Sequence, residues 1–239
     1  MATYDLEQQE QLDQVKHFWK QYGNLITWVL VLVLAAYAGW MAWQRWEQSR
    51  AGEAAGLYEE MDQAASAGNA DKVQQAFGDL SAKYAGTTFA EQGALLASRV
   101  AAEKQKTDQA KAALQWLVDN GKNDNLVAVA RLRLAGIQLD AKQYDEALKT
   151  MSVSLPESFA ALADDRRGDI LLAQGKKDEA AKAFLSAWKT LTPETEYRNL
   201  IAAKLTALGQ PPEPAGKGLG APVGMAPPAP SPEAAPAEK

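Results

Sequence analysis

The sequence predicts an all-α chain in which a single N-terminal transmembrane helix leads into a solenoid of helical hairpins and then a disordered Pro-rich tail. Three observations carry that reading. Leu25 to Trp43 form a run of nineteen uncharged residues. The stretch that begins at Leu132 returns, in altered form, from Asp165 onward. Nine of the eleven prolines fall after Gly209, which leaves only Pro156 and Pro193 before it.

Residues 1–24 form a polar arm, taken as cytoplasmic once topology is assigned below. Within it Leu12, Val15, Trp19 and Tyr22 recur at three- and four-residue spacing, as one stripe of a helix does. Two readings fit the arm equally: a short helix lying at the interface, or a plain lead-in to the span. Residues 25–46 are the transmembrane helix. Nineteen residues rising about 1.5 Å each reach roughly 30 Å, the thickness of a bilayer's hydrocarbon core. A cleaved secretory signal would have a basic start and a shorter apolar region. This chain starts with the acidic stretch MATYDLEQQEQLDQ, and aromatic residues flank the run at both ends: Trp19 and Tyr22 before it, Trp40, Trp43 and Trp46 at its exit. Such rings suit the water–lipid boundary and act as membrane-interface anchors. Charge does not orient the span, because Lys16 and Lys20 on one side balance Arg45 and Arg50 on the other.

Residues 47–209 are rich in Ala, Leu, Gln, Lys and Glu, all strong helix formers. No proline interrupts the chain between Gly23 and Gly68, so the span can continue into the first helix of this domain, with Gly52 and Gly56 as its weak points. Placing LRLAGIQLDAKQYDEAL over DRRGDILLAQGKKDEAA aligns Asp145-Glu146-Ala147 with Asp178-Glu179-Ala180. In the later unit Gly168 is the small residue of a first helix and Gly175 marks the turn. Ala180, Phe184 and Ala187 follow in a second helix, with Pro193 at the exit. This pattern resembles the tetratricopeptide repeat, where small residues let paired helices approach and one larger apolar residue fills the space beside them. More degenerate units carry Ala135, Ala147 and Met151; Ala110, Leu114 and Leu117; and Val73, Phe77 and Leu80. The turns recur at a drifting interval near the period of helical arrays, which gives about four degenerate hairpins. A capping helix follows, with Thr192 as its N-cap, Pro193 at its first position and Gly209 at its close. On the concave side, lined by first helices, Arg99, Arg133, Asp165 and Asp169 are the candidate exposed partner contacts.

Residues 210–239 hold too few large apolar side chains to offset their ordering entropy and are expected to be disordered. GKGLGAPVG lacks the flanking strand and helix of a phosphate-binding loop. Pro227 and Pro230 stand at the PxxP spacing of a polyproline ligand, but a plain linker or tail is the favoured reading.

Several function classes drop out. A formal net charge of −5 with no basic stripe argues against nucleic-acid binding. Cysteine is absent, which removes disulfides, thiolate nucleophiles and cysteine metal sites. His17 is the one histidine and lies across the span from the domain, so neither a Ser-His-Asp triad nor an HExxH zinc site can form there. The expectation is a protein that is not an enzyme and takes no cofactor.

The arm ending DQVKHFWKQYGN, the aromatic-flanked span and the two repeat stretches together resemble the YfgM-type ancillary subunit of the bacterial SecYEG translocon, from about Tyr4 to Leu208. That resemblance implies a single-pass inner-membrane protein with its N-terminus in the cytoplasm and its repeat domain in the periplasm. It implies as partners the SecYEG translocon, a membrane-anchored periplasmic prolyl-isomerase-like chaperone and unfolded exported chains. The Pro-rich extension departs from the family pattern. A different reading of the same repeat array is a membrane-anchored regulatory receptor for a stress or division factor, since one scaffold serves both.

Overall fold

The computed structural model describes residues 3–212, with side chains from Lys16 onward, Phe18 aside. Nearly all of the expected disordered tail lies outside the described residues, as do the side chains of Leu12 and Val15. Within them the regular elements are α1 (Thr3–Ser66), α2 (Ala70–Lys83), α3 (Thr88–Glu103), α4 (Thr107–Asn120), α5 (Asp124–Asp140), α6 (Tyr144–Thr150), the 3-10 turn η1 (Glu157–Phe159), α7 (Ala160–Ala173), α8 (Lys177–Thr190) and α9 (Glu196–Ala207). They form two compact units, one up to Glu157 and one from Ser158.

Arm, span and first repeat helix are a single helix. At about 1.5 Å per residue α1 runs roughly 95 Å, and it contains no proline to remove a backbone donor. Gly52 and Gly56 do not break it. Mean hydropathy reaches 2.1 over an 18-residue window of the Trp19–Ser66 segment, and none of that window is buried inside the protein. Leu25, Trp28, Leu30, Leu32 and Leu34 all point outward. A soluble core helix would bury such side chains; here nothing among the described residues packs on them, and a bilayer supplies the missing apolar medium. Below the span the helix turns amphipathic, and Ala54, Met61 and Ala64 enter the core of the first hairpin.

The first unit stacks three hairpins, α1 with α2, α3 with α4 and α5 with α6. Their joint core includes Phe77, Leu80, Leu96, Leu114, Leu117 and Leu134, with Trp116 packed edge-on to Phe77 at 5.5 Å between ring centroids. The second unit is the hairpin α7–α8 closed by α9, around Phe184, Ile201 and Leu205.

One turn design makes all four hairpins. The second helices begin after Asn69, Lys106, Gln143 and Lys176, at the drifting interval that the sequence displays. The residue before each of these has positive φ: Gly68 at 71°, Gln105 at 58°, Lys142 at 60° and Gly175 at 80°. Each turn pairs the same amides with the same carbonyls, as in Lys106 N–H to Ala101 O at 2.8 Å and Gln105 N–H to Ala102 O at 2.9 Å. This is the Schellman closure, which satisfies carbonyls that the helix end leaves open. Gly209, with φ 75°, ends α9 in the same way.

One expectation about these elements needs correction. The N-cap of α9 is Thr195 and not Thr192. Thr192-Pro193-Glu194-Thr195 is instead a turn closed by Thr195 N–H to Thr192 O at 3.1 Å, with the two threonine hydroxyls 2.8 Å apart. The third hairpin is lopsided, since α6 is only seven residues long and stops with Met151 as its C-cap. Ser152-Val153-Ser154-Leu155 leads into Pro156, which biases its predecessor away from helix. The first unit ends just beyond.

Candidate interaction surface

The small residues of the repeat pattern are buried where helices approach. Ala110, Ala135, Ala147, Ala180 and Ala187 are fully inaccessible, as is Phe184. Gly168 on α7 lies under the Phe184 ring of α8: a Cβ there would fall 2.5 Å from Cδ1. These residues build the scaffold and leave the outward faces of the helices for contacts.

Of the four candidate contacts, the structure brings two together. Asp165 and Asp169, one turn apart on α7, converge on Lys204 of α9, whose Nζ lies 2.7 Å from Asp165 Oδ1 and 2.6 Å from Asp169 Oδ1. Tyr197 Oη donates to Asp165 Oδ2 at 2.5 Å. Asp165 is only 4 % exposed, which corrects the expectation that it offers an open contact, and Asp169 is partly buried beside it. The Asp165 carboxylate is occupied in holding the capping helix, through partners too distant in the chain for a local pattern to show. Burial pushes the Asp169 carboxyl above its ordinary value, although the Lys204 ammonium works against that. Burial first, then the bond to Asp165, raises the Tyr197 phenol well above the ordinary tyrosine range. Arg99 and Arg133 belong to the first unit and sit on different helices. Arg99 is exposed on α3, with its Nε 4.0 Å from Glu103 of the same helix, and Arg133 is exposed on α5.

The aromatic anchors all project outward. Trp19, Tyr22, Trp40, Trp43 and Trp46 are each more than two-fifths exposed. Trp43 and Trp46 lie 5.5 Å apart by ring centroid, and Arg50 stacks on Trp46 at 4.7 Å.

Below those rings is a set of contacts that no sequence pattern announces. Arg50 Nη2 donates to the Lys83 carbonyl at the end of α2 at 2.5 Å, and Tyr84 Oη donates to Glu53 at 2.8 Å. Glu91, 4 % exposed in the first turn of α3, accepts from the backbone amides of Lys122 at 2.5 Å and Asn123 at 3.2 Å. It thereby fixes the α4–α5 connection. Glu91 gives no local signal, because its partners lie beyond the whole of α4.

The tetratricopeptide repeat-like domain family matches residues 16–210. An ancillary SecYEG translocon subunit of Neisseria gonorrhoeae is 30% identical over 209 residues, covering 87% of this chain and 100% of the relative. Its counterpart in Escherichia coli is 32% identical over 197 residues, covering 81% and 93%. That of Haemophilus influenzae is 29% identical over 191 residues, covering 77% and 90%. With a repeat array built on one apolar helix and similarity that spans the relatives nearly end to end, the chain belongs to the family of ancillary SecYEG translocon subunits, within the tetratricopeptide repeat-like fold.

Proposed function

We propose that this protein is a non-enzymatic ancillary subunit of the SecYEG translocon that carries its repeat array on the periplasmic side of the inner membrane. The N-terminal arm is then cytoplasmic. The array, held close to the translocon exit, binds a membrane-anchored prolyl-isomerase-like chaperone, newly exported chains, or both. The observation that supports this most is the continuity of α1: the helix that crosses the membrane is also the first helix of the first hairpin, with Met61 fully buried in its core. Such a joint holds the array close to the bilayer. Tethering of this kind raises the local concentration of weak partners without demanding high intrinsic affinity. Arg99 and Arg133, exposed on first helices, are the contacts proposed for those partners.

The test is co-purification from membranes of the full chain against a version ending at Arg50. The full chain should recover SecYEG together with the chaperone, and the shortened one should lose the chaperone. Equal chaperone recovery from both would remove the array from the function.

A further inference from the structure

Where α1 leaves the bilayer, its face Trp43, Trp46, Glu47, Arg50 meets the start of α3, from Gly86 to Phe89, and Lys122 around an open cleft of about 430 Å³. We propose that this cleft binds the headgroup phosphate of an anionic phospholipid from the bilayer that α1 crosses. The inference rests on α1 spanning a membrane, and on no protein partner of the array.

Depth is the first argument. The apolar run ends at Trp43, and Arg50 lies seven residues further, about 10 Å along the axis. The headgroup layer occupies roughly 5–8 Å on each side of the hydrocarbon core. Side chains on a helix tilt toward its N-terminus, so the Arg50 guanidinium reaches back toward that layer. There it lies against the Trp46 ring, at the level where amphipathic rings settle.

Charge is the second argument. Two cations, Arg50 and Lys122, line the cleft against one carboxylate, Glu47. The carboxylate of Glu53 is engaged by Tyr84, and that of Glu91 by backbone amides. No carboxylate among the described residues pairs with the Lys122 ammonium. Its position is nonetheless built: Glu91 holds the Lys122 backbone, and Nζ passes 3.2 Å from where a Cβ of Gly86 would sit, so the glycine makes room for it. The side chains that line the cleft sum to one positive charge, which matches a phosphodiester monoanion, and the first turn of α3 adds its positive end beside it. The exposed rings of Trp43 and Trp46 line the cleft on its span side, where the acyl chains would run.

Native mass spectrometry of the detergent-solubilised full chain, titrated with phosphatidylglycerol or phosphatidylcholine, tests this. The expected result is preferential retention of one phosphatidylglycerol, reduced about fivefold in Lys122→Gln and increased in Glu47→Gln. Lys149→Gln, at an exposed lysine on α6, should leave retention unchanged. The opposite responses of the Lys122 and Glu47 variants separate a binding effect from misfolding. Equal retention of the two lipids, or Lys122→Gln behaving as the parent chain, would overturn the proposal. Displacement of the lipid by millimolar inorganic phosphate would do so as well, because it would identify a site for free anions.

Discussion

Phe184 lies directly on Gly168, its ring atoms Cδ1 and Cζ 2.5 and 2.8 Å from the place where any Cβ would stand. In the third hairpin the corresponding positions are Ala135 and Met151, both fully buried. A larger small residue is thus matched with a more flexible large one. Gly168→Ala should cost about 1–3 kcal/mol through overpacking, despite the better helix propensity of alanine. Combining it with Phe184→Met should recover much of that loss. A double-mutant cycle by chemical denaturation checks this, with a coupling energy above about 0.5 kcal/mol expected for residues in contact. Additive effects would mean that the two side chains do not share one space.

The cluster on α7 and α9 should make the second unit sensitive to alkali. Tyr197 holds its phenolic proton more tightly in the folded chain than in the unfolded one, where the ordinary value is near 10. The folded state therefore binds more protons above that pH, and stability falls as pH rises. Below it this contribution is fully present. Tyr197→Phe should lose about 1–2 kcal/mol near neutral pH, by removing a bond to a buried carboxylate, and should show a shallower loss of stability between about pH 9 and 11. Parallel melting curves across that range decide it.

The hairpin turns make a prediction of opposite sign. Gln105 and Lys142 take the left-handed conformation that Gly68 and Gly175 adopt in the other two turns. A side chain there costs about 1 kcal/mol or more. Gln105→Gly and Lys142→Gly should each raise stability by roughly 0.5–1 kcal/mol, and Gly175→Ala should lower it by a similar amount, as read from thermal midpoints.

At the joint below the span, Gly52 and Gly56 sit in continuous helix with nothing within 4 Å of where a Cβ would stand. Gly52→Ala and Gly56→Ala should each firm the helix by about 0.5–1 kcal/mol. Slower amide hydrogen exchange between Arg50 and Tyr58 would show it.

The range of each interaction decides how much of this the sequence displays. The span, the spacing of the turns and the unbroken run from span to first hairpin follow from composition and period, which are visible directly. The start of α9 is harder to place, because Thr192-Pro193 has the residues of a helix start and also those of a turn, and the cap falls to Thr195 instead. Asp165 looks like an exposed charge from its own helix, since its partners Tyr197 and Lys204 come from α9, with the whole of α8 between. Glu91 is silent for the same reason. Periodicity reveals which residues face inward; it does not reveal which polar groups meet across the packing.

The placement of the array relative to the membrane bears most directly on the proposed role. A C-terminally tagged protein, treated with protease in intact cells, in cells with a permeabilised outer membrane and in lysed cells, tests it. Digestion of the array as soon as the outer membrane opens is the result expected of a subunit whose hairpins stand at the translocon exit. Protection until the inner membrane is lysed would put the array in the cytoplasm and contradict the proposed function.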